Sequence, residues 1–346
     1  MWLTSLELNN WRNFSTKKLS FVQKNLVRGD NGVGKTNLLE SIRFVSVGKS
    51  FRASRMEELI NFQEKYCRLS LEAVSDEKES LAVELFYGQP IEGASGEERR
   101  LMVNKAKKSW LQFLGGLPTI IFLPTDTELI LGSPASRRRF LDGTLWQVDK
   151  KYSHACLEMI RILRERSAAL WQIKKQRAGF DQLKPWSELL EEKSHIVQKQ
   201  RANYLTFLNS QLGLLSKHFS VRLQPSIVYQ PNQEKVDEVR DKEVILGQNL
   251  IGAHRDDFYL SLNDRSARSF ASRGQARALA ILLRIGEREF LRQKLGEEPI
   301  TLLDDILSEL DEKTIKTLLS LLQGQVIATA TQETPLLKDW QAIKLP

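Results

Sequence analysis

Residues 25–42 read NLVRGDNGVGKTNLLESI. The short run NLV leads into a loop that matches G-x-x-x-x-G-K-[ST], with Gly29, Gly34, Lys35 and Thr36 in register. A leucine-containing helical pattern follows at once, so the stretch predicts strand, loop and helix. Glycine permits backbone conformations that turn several N–H groups inward around an anion. The helix N-terminus adds a partial positive charge at the same place. On this reading Gly29, Asp30, Asn31, Gly32, Val33, Gly34, Lys35, Thr36 and Asn37 surround the phosphates of a nucleoside triphosphate. Lys35 reaches the β- and γ-phosphates, and the Thr36 hydroxyl ligates Mg2+.

Such a site needs an acid on the metal. The run PITLLDD (299–305) supplies apolar residues and then Asp304 and Asp305 at the end of an expected strand. In a parallel sheet that end is where ligands bind. Asp304 is therefore the magnesium candidate, and Asp305 is placed to orient or polarise an attacking water. The next residues, Ser308, Glu309, Leu310 and Asp311, read by themselves as an ordinary helix start.

A second helix start raises a question. In SFASRGQARA (269–278), Ser272 and Gln275 have the spacing of a capping box, in which each side chain bonds the other residue's backbone N–H. The box does not account for Gly274, because glycine in a helix costs about 0.5–1 kcal/mol relative to alanine. That cost makes sense where an anion approaches the backbone closely. The chain already has one phosphate cradle, so Ser272, Gly274 and Gln275 are assigned to the nucleotide of another subunit.

Composition sets the surroundings. The chain has 346 residues, 41% hydrophobic and 27% charged, which suits a soluble globular protein of one large or two smaller domains. No apolar run approaches the 18 residues of a membrane span, the N-terminus does not resemble a signal peptide, and a cytoplasmic location is the simplest expectation. Cys67 and Cys156 make no disulfide framework, and with four histidines they offer no zinc spacing. The net charge is +8, and residues 134–218 hold 16 Lys and Arg against 8 Asp and Glu, leaving 35 of each sign elsewhere. All the excess lies in one segment. Nucleic acid is one partner for it and a solvated helical face is the other reading. Arg137, Arg138 and Arg139 within it have the same two readings, phosphate contacts or internal ion pairs.

Apolar alternation marks a first strand at Leu3, Leu6 and Leu8, a meander at 67–74 and 81–87, and a strand at 118–124. Further strands are expected at 221–229, 257–262, 299–305 and 325–330. Between them, Pro134 opens a helical run to about residue 176, and a second run from Trp186 to His218 completes a hairpin turning near 178–185. The arm therefore interrupts an ATPase-like domain. The expected division is an N-terminal ATPase part at 1–125, a basic helical arm at 126–220, and a C-terminal ATPase part at 221–346. The motif GAHRDD, with His254, Arg255, Asp256 and Asp257, is read as a turn ahead of a strand rather than a metal site.

Two nucleotides held between one subunit's P-loop and the other's signature motif is the arrangement of ABC-type ATPase heads. Within that group the chain resembles the RecF family of bacterial recombination and gap-repair ATPases, over almost its whole length. The matching pieces are NNWRNF, GDNGVGKTNLLESI, GKSFR, GSPASRRRFLD, GAHRDDF, SFASRGQARALA and LLDDILSELD, in order. The chain departs from the family pattern at Trp11, Thr125 and Ala253. It also has no glutamine near 122–126 and no histidine after the last strand, ATATQ. The resemblance implies an α/β fold, an ABC-type P-loop head of mixed sheet and helices with an inserted helical arm lobe. It further implies ATP and Mg2+ as cofactors, an ATP-dependent homodimer, and weak ATP hydrolysis stimulated by DNA. Implied partners are single- and double-stranded DNA at gaps and junctions, and RecR with RecO and RecA, with no membrane. The alternative is the nucleotide-binding motor of a transporter, which leaves the basic arm unexplained. A chromosome-organising head would need a far longer coiled coil than the stretch from Lys35 to Ser272 allows.

Overall fold

Leu3, Leu6 and Leu8 all lie buried in β1 (Trp2–Trp11), although Leu3 and Leu6 have opposite parity. A register shift between Leu3 and Ser5 reconciles them, since a bulge moves the residues that follow it to the other face. β1 pairs antiparallel with β2 (Phe14–Ser20), while β3 (Lys24–Arg28) leaves for another sheet. α1 (Lys35–Val47) follows, and then β4 (Tyr66–Val74), β5 (Ser80–Gly88), β6 (Glu98–Val103) and β7 (Ala106–Lys107) complete an antiparallel meander. Its strand order is β2-β1-β4-β5-β6-β7. α2 (Trp110–Phe113) is capped reciprocally by Ser109 and Gln112 and leads to the fully buried β8 (Thr119–Phe122).

The structure, a computed structural model, describes residues 1–89, 98–219, 224–332 and 335–345. Two compact units divide the chain, the first being Met1–Asp126 with Leu283–Pro346 and the second Thr127–Leu282.

In the second unit, α3 (Glu128–Leu131) precedes α4 (Pro134–Val148), which has proline in its first turn. The expected single run to residue 176 is broken at Asp149, whose carboxylate accepts the Tyr152 N–H at 3.0 Å and so caps α5 (Lys150–Lys174). α5 packs on α6 (Lys184–Leu215) as a hairpin, with Ala169, Leu170, Ile173 and Leu183 buried together near the turn. α7 (Val236–Leu246) packs on α5. β9 (Pro225–Gln230), β10 (Asp257–Leu262) and β11 (Arg265–Ser266) form a small antiparallel sheet. Positions 221–223 of the expected 221–229 strand fall outside the described residues.

The expected boundary at 220/221 lies inside this unit. β9 packs on α6, and β10 on α4 and α8 (Ala267–Phe270), so the sheet belongs with the helices. The unit runs on to Leu282, within α9 (Arg273–Leu295).

The chain then returns to the first unit. β12 (Ile300–Leu303), α10 (Glu312–Leu321), β13 (Val326–Ala330) and β14 (Gln341–Lys344) complete it. β3 and β8 join them in an all-parallel sheet of order β14-β3-β13-β12-β8. Its strands β12 and β13 are mostly apolar and buried almost throughout, as a sheet covered on both faces requires. Both cysteines are free, and burial pushes each thiol up to about 12. No helix among the described residues is long and apolar enough to cross a membrane.

Buried arginines hold the second unit together. Arg166, fully buried, donates to Ser187 Oγ at 3.1 Å, to both Glu243 oxygens at 2.8 and 2.6 Å, and to Asn249 Oδ1 at 2.7 Å. Arg166→Met would strand Glu243 as a buried, uncompensated charge. We expect a loss of about 3–5 kcal/mol of stability, read as a lower urea midpoint. Arg166→Lys should recover little, because an ammonium cannot reproduce the planar fork. A methionine variant as stable as the wild type would remove this pair from the forces holding α5, α6 and α7.

Candidate nucleotide site

The loop after β3 is built by glycines with specific duties. Gly34 lies at φ 106°, and a Cβ there would come within 3 Å of Asn13 and Phe14. Asn13 in turn donates from Nδ2 to the Val33 carbonyl at 2.9 Å, pinning the loop to the β1–β2 turn. Gly32, at φ 89°, faces open space. Lys35 is buried, and its Nζ donates to the carbonyls of Gly29 at 2.8 Å and Asp30 at 3.2 Å. The same ammonium lies 3.8 Å from Asp305 Oδ2. Asn37 donates to Asn13 Oδ1 at 2.8 Å and accepts at Oδ1 from Arg52 at 2.8 Å.

β3 and β12 are separated by β13, yet their ends meet. Thr36 Oγ1 donates to Asp304 Oδ1 at 3.0 Å, so the two expected metal ligands converge. Burial pushes the Asp304 carboxyl above the usual carboxylate range, and the neighbouring charge of Asp305 adds to this. Hydroxyls of Thr36 and Thr329 and the charge of Arg52 oppose the shift. A buried carboxylate and a hydroxyl oxygen are the hard ligands that Mg2+ takes, so these residues fit the ion. Asp305 adopts φ 47°, a left-handed conformation costly for a residue with a side chain, and its N–H donates to Thr329 Oγ1 at 2.8 Å. Its carboxylate stays partly exposed beside Lys35. Asp311 caps α10, accepting the Thr314 N–H at 2.9 Å.

Several supporting residues escaped the motif reading. Thr329, in the strand noted only for its missing histidine, also donates to Asp304 Oδ1 at 3.0 Å and so holds both acids. Trp11 donates its indole N–H to the Asn37 carbonyl at 3.1 Å, a bond phenylalanine cannot make. Arg12 clamps the buried Glu40 of α1 through two bonds of 2.8 and 2.7 Å, and Ser50 donates to the same carboxylate. NNWRNF and GKSFR are thus the struts of α1, and Arg52 of the latter reaches Asn37. Asp126 binds Arg284 of α9 through 2.6 and 3.0 Å bonds, and Arg284 also holds Glu287 at 2.8 Å. Arg43 of α1 lies 3.8 Å from Glu287 and donates to Thr119.

In the second unit the capping box is present. Ser272 N donates to Gln275 Oε1 at 2.8 Å, and Gln275 N donates to Ser272 Oγ at 3.2 Å. Gly274 is exposed, and a Cβ there would meet nothing within 4 Å. Nothing in the chain's own packing requires glycine at this position.

The arginine triplet needs correction. Arg137 is 2% exposed and binds both oxygens of Asp257, at 2.7 and 2.9 Å, so it cannot present itself to a phosphate. Arg138 donates to the Asp256 carbonyl at 2.8 Å, and only Arg139 of the three is exposed. The GAHRDD acids are likewise occupied internally. Asp256 accepts from Arg201 at 3.0 Å, Tyr229 at 2.7 Å and Gln198 at 2.9 Å. Burial lowers His254 to about 4.

Similarity to known proteins spans nearly the whole chain. Residues 2–339 match the family described as the RecF/RecN/SMC N terminal domain. The DNA replication and repair protein RecF of Caldanaerobacter subterraneus subsp. tengcongensis is 34% identical over 344 residues, spanning 94% of this chain and 92% of that one. RecF of Oceanobacillus iheyensis is 30% identical over 346 residues, spanning 94% and 92%. Among solved structures, the chain is similar to the recombination mediator protein RecF-ATP of the RecFOR pathway, with a TM-score of 0.87 and 31% identity over 99% of this chain and 95% of the other. The RecF-ATPrS structure gives a TM-score of 0.88 at 31% identity, over 100% and 96%.

Lys35→Ala removes the ammonium held inside the loop. We expect calorimetry with ATP and Mg2+ to find tight binding abolished. Affinity equal to wild type would refute the phosphate-cradle assignment.

Proposed function

The chain belongs to the RecF family of DNA replication and repair proteins, and on that footing we propose that it is an ATP-switched DNA clamp. In this reading each of two copies binds ATP in its P-loop, and each nucleotide is closed by the partner's Ser272, Gly274 and Gln275. One observation carries it: the chain holds a complete phosphate cradle and, separately, a capped helix start whose glycine no atom of its own packing requires. Backbone N–H groups at a helix start can take a γ-phosphate only where no side chain stands over them.

Gly29 to Asn37 would hold the phosphates, with Thr36 and Asp304 as ligands of Mg2+. That ion would neutralise charge on the phosphate oxygens. Asp305 orients a water for attack on the γ-phosphorus. The bond from that phosphorus to the bridging oxygen breaks, giving ADP and phosphate, and the water's proton passes to solvent. Lys35, beside Asp305, supports the charge that develops. Loss of the γ-phosphate removes the group that bridges the copies, so hydrolysis releases the clamp by mass action.

The proposal extends to weak, DNA-stimulated turnover and to a preference for single-strand gaps and junctions. It also extends to action with RecR and RecO in assisting RecA loading. A solved relative in the RecFOR pathway supports that placement.

Ser272→Arg should leave ATP binding by the single chain intact while blocking ATP-dependent dimerisation in analytical ultracentrifugation. Normal dimerisation would show that the Ser272 box closes no partner site. Asp305→Asn should slow ATP turnover by roughly a hundredfold and prolong the ATP-bound dimer; wild-type turnover would take Asp305 out of the chemistry.

A further inference from the structure

The positive excess of residues 134–218 resolves into two populations. Arg137, Arg166 and Arg201 are buried and bound to acids. The second population is exposed and concentrated on α5, where Lys150, Lys151, Arg161, Arg164, Lys174 and Lys175 lie on or directly beyond the helix. Positions 150, 157, 161, 164 and 171 recur at intervals of three, four or seven, so they share one face. The acids of α5 are Glu158 and Glu165, and both are engaged: Glu158 with Lys193 at 3.2 Å and His154 at 3.1 Å, Glu165 with Arg164 at 3.1 Å. Lys150, Lys151 and Arg161 pair with no acid among the described residues.

The row ends on an aromatic. Trp171 is 49% exposed, with Lys175 Nζ 5.9 Å and the Arg177 guanidinium 5.7 Å from its ring. A half-exposed indole with two cations close to its ring puts a stacking surface beside phosphate-binding charge. Bases inside a duplex show no free face, so the indole needs an unpaired base. Along the helix, 25 residues span ~37 Å, about one turn of duplex DNA.

We propose that the exposed face of α5 is a nucleic-acid track, in which the cation row takes the phosphates of a duplex and Trp171 stacks on an unpaired base beyond its end. This deepens the DNA-clamp reading and rests on it. Leu157 and Ile160 interrupt the row with exposed apolar surface that a protein would also cover. The number of unpaired cations and the cation-flanked indole favour nucleic acid over a protein face, which would have to be strongly acidic along the whole helix.

The test uses the full chain with ATP and Mg2+, and fluorescence anisotropy on a blunt duplex and on the same duplex with a single-stranded extension. The double variant Arg161→Glu/Arg164→Glu should bind both DNAs at least about tenfold more weakly, with a salt slope shallower by about two. Trp171→Ala should keep blunt-duplex affinity within about twofold while losing about five- to tenfold on the extended duplex, and Trp171→Phe should retain most of it. All three exchange exposed side chains, and unchanged ATP affinity verifies their fold. Wild-type DNA affinity and salt slope in the double variant overturn the track. So does intact DNA binding with lost self-association, which would make the row a contact between copies. Equal losses on both DNAs for Trp171→Ala overturn the stacking role. A wild-type chain that binds neither DNA defeats the DNA-clamp reading itself, and the track with it.

Discussion

Thr329 is the residue on which the nucleotide site depends most. In the order β14-β3-β13-β12-β8, the strand feeding the P-loop and the strand feeding the acids are not neighbours. β13 stands between them, and a parallel sheet brings all three carboxyl ends to one edge. Thr329, near the end of β13, accepts the Asp305 N–H and donates to Asp304, whose other partner is Thr36. One hydroxyl therefore fixes the conformation of Asp305 and the direction of Asp304. The left-handed backbone of Asp305 persists because this bond and the strand behind it over-determine it.

A second set of contacts within the first unit stabilises the helix that begins at Lys35. Arg12 and Ser50 strap it at the buried Glu40, and three residues on, Arg43 lies close to Glu287 of α9. Arg284 and Glu287 form an ion pair that also holds Asp126 at the end of the N-terminal segment. These charges are nearly inaccessible to water, and each is paired, which is the condition under which buried ions are tolerated. Replacing one member leaves its partners stranded, so Asp126, Arg284 and Glu287 act as a unit. In the stretch 122–126, which holds no glutamine, Asp126 beside Thr125 is a structural anchor.

Much of this was legible in the chain. The P-loop, the strand-end acids and the capping box are local patterns, each set by residues within a few positions of one another. Periodicity also located most strands and both helices of the hairpin. What local pattern could not reveal were partners distant in sequence. Arg137 finds Asp257, 120 residues away, and a charge run offers no sign of which member will be buried. The break at Asp149 was hidden because aspartate ends one helix and caps the next without glycine or proline. Nor did the strands after 220 announce their allegiance. Alternation shows which face of a strand is buried but not what covers it, and α4, α6 and α8 cover these strands.

The arm shows how one composition serves two purposes. Arginine's rigid fork suits bidentate pairing with a carboxylate out of water, and Arg137, Arg166 and Arg201 are used in that way. Lysine's compact, strongly hydrated ammonium is costly to bury, so Lys150, Lys151 and Lys175 remain at the surface. Folding therefore divides the excess between buried ion pairs and exposed side chains. The buried arginines are neutralised by acids of their own unit, and the largest share of the exposed surplus is left on α5. A field concentrated on one helical face attracts a polyanion more strongly than the same charge spread over the molecule. It is screened within about 8–10 Å at physiological salt, so it acts on phosphates that lie close along the helix. Net charge alone, at +8, understates the attraction that this face can exert.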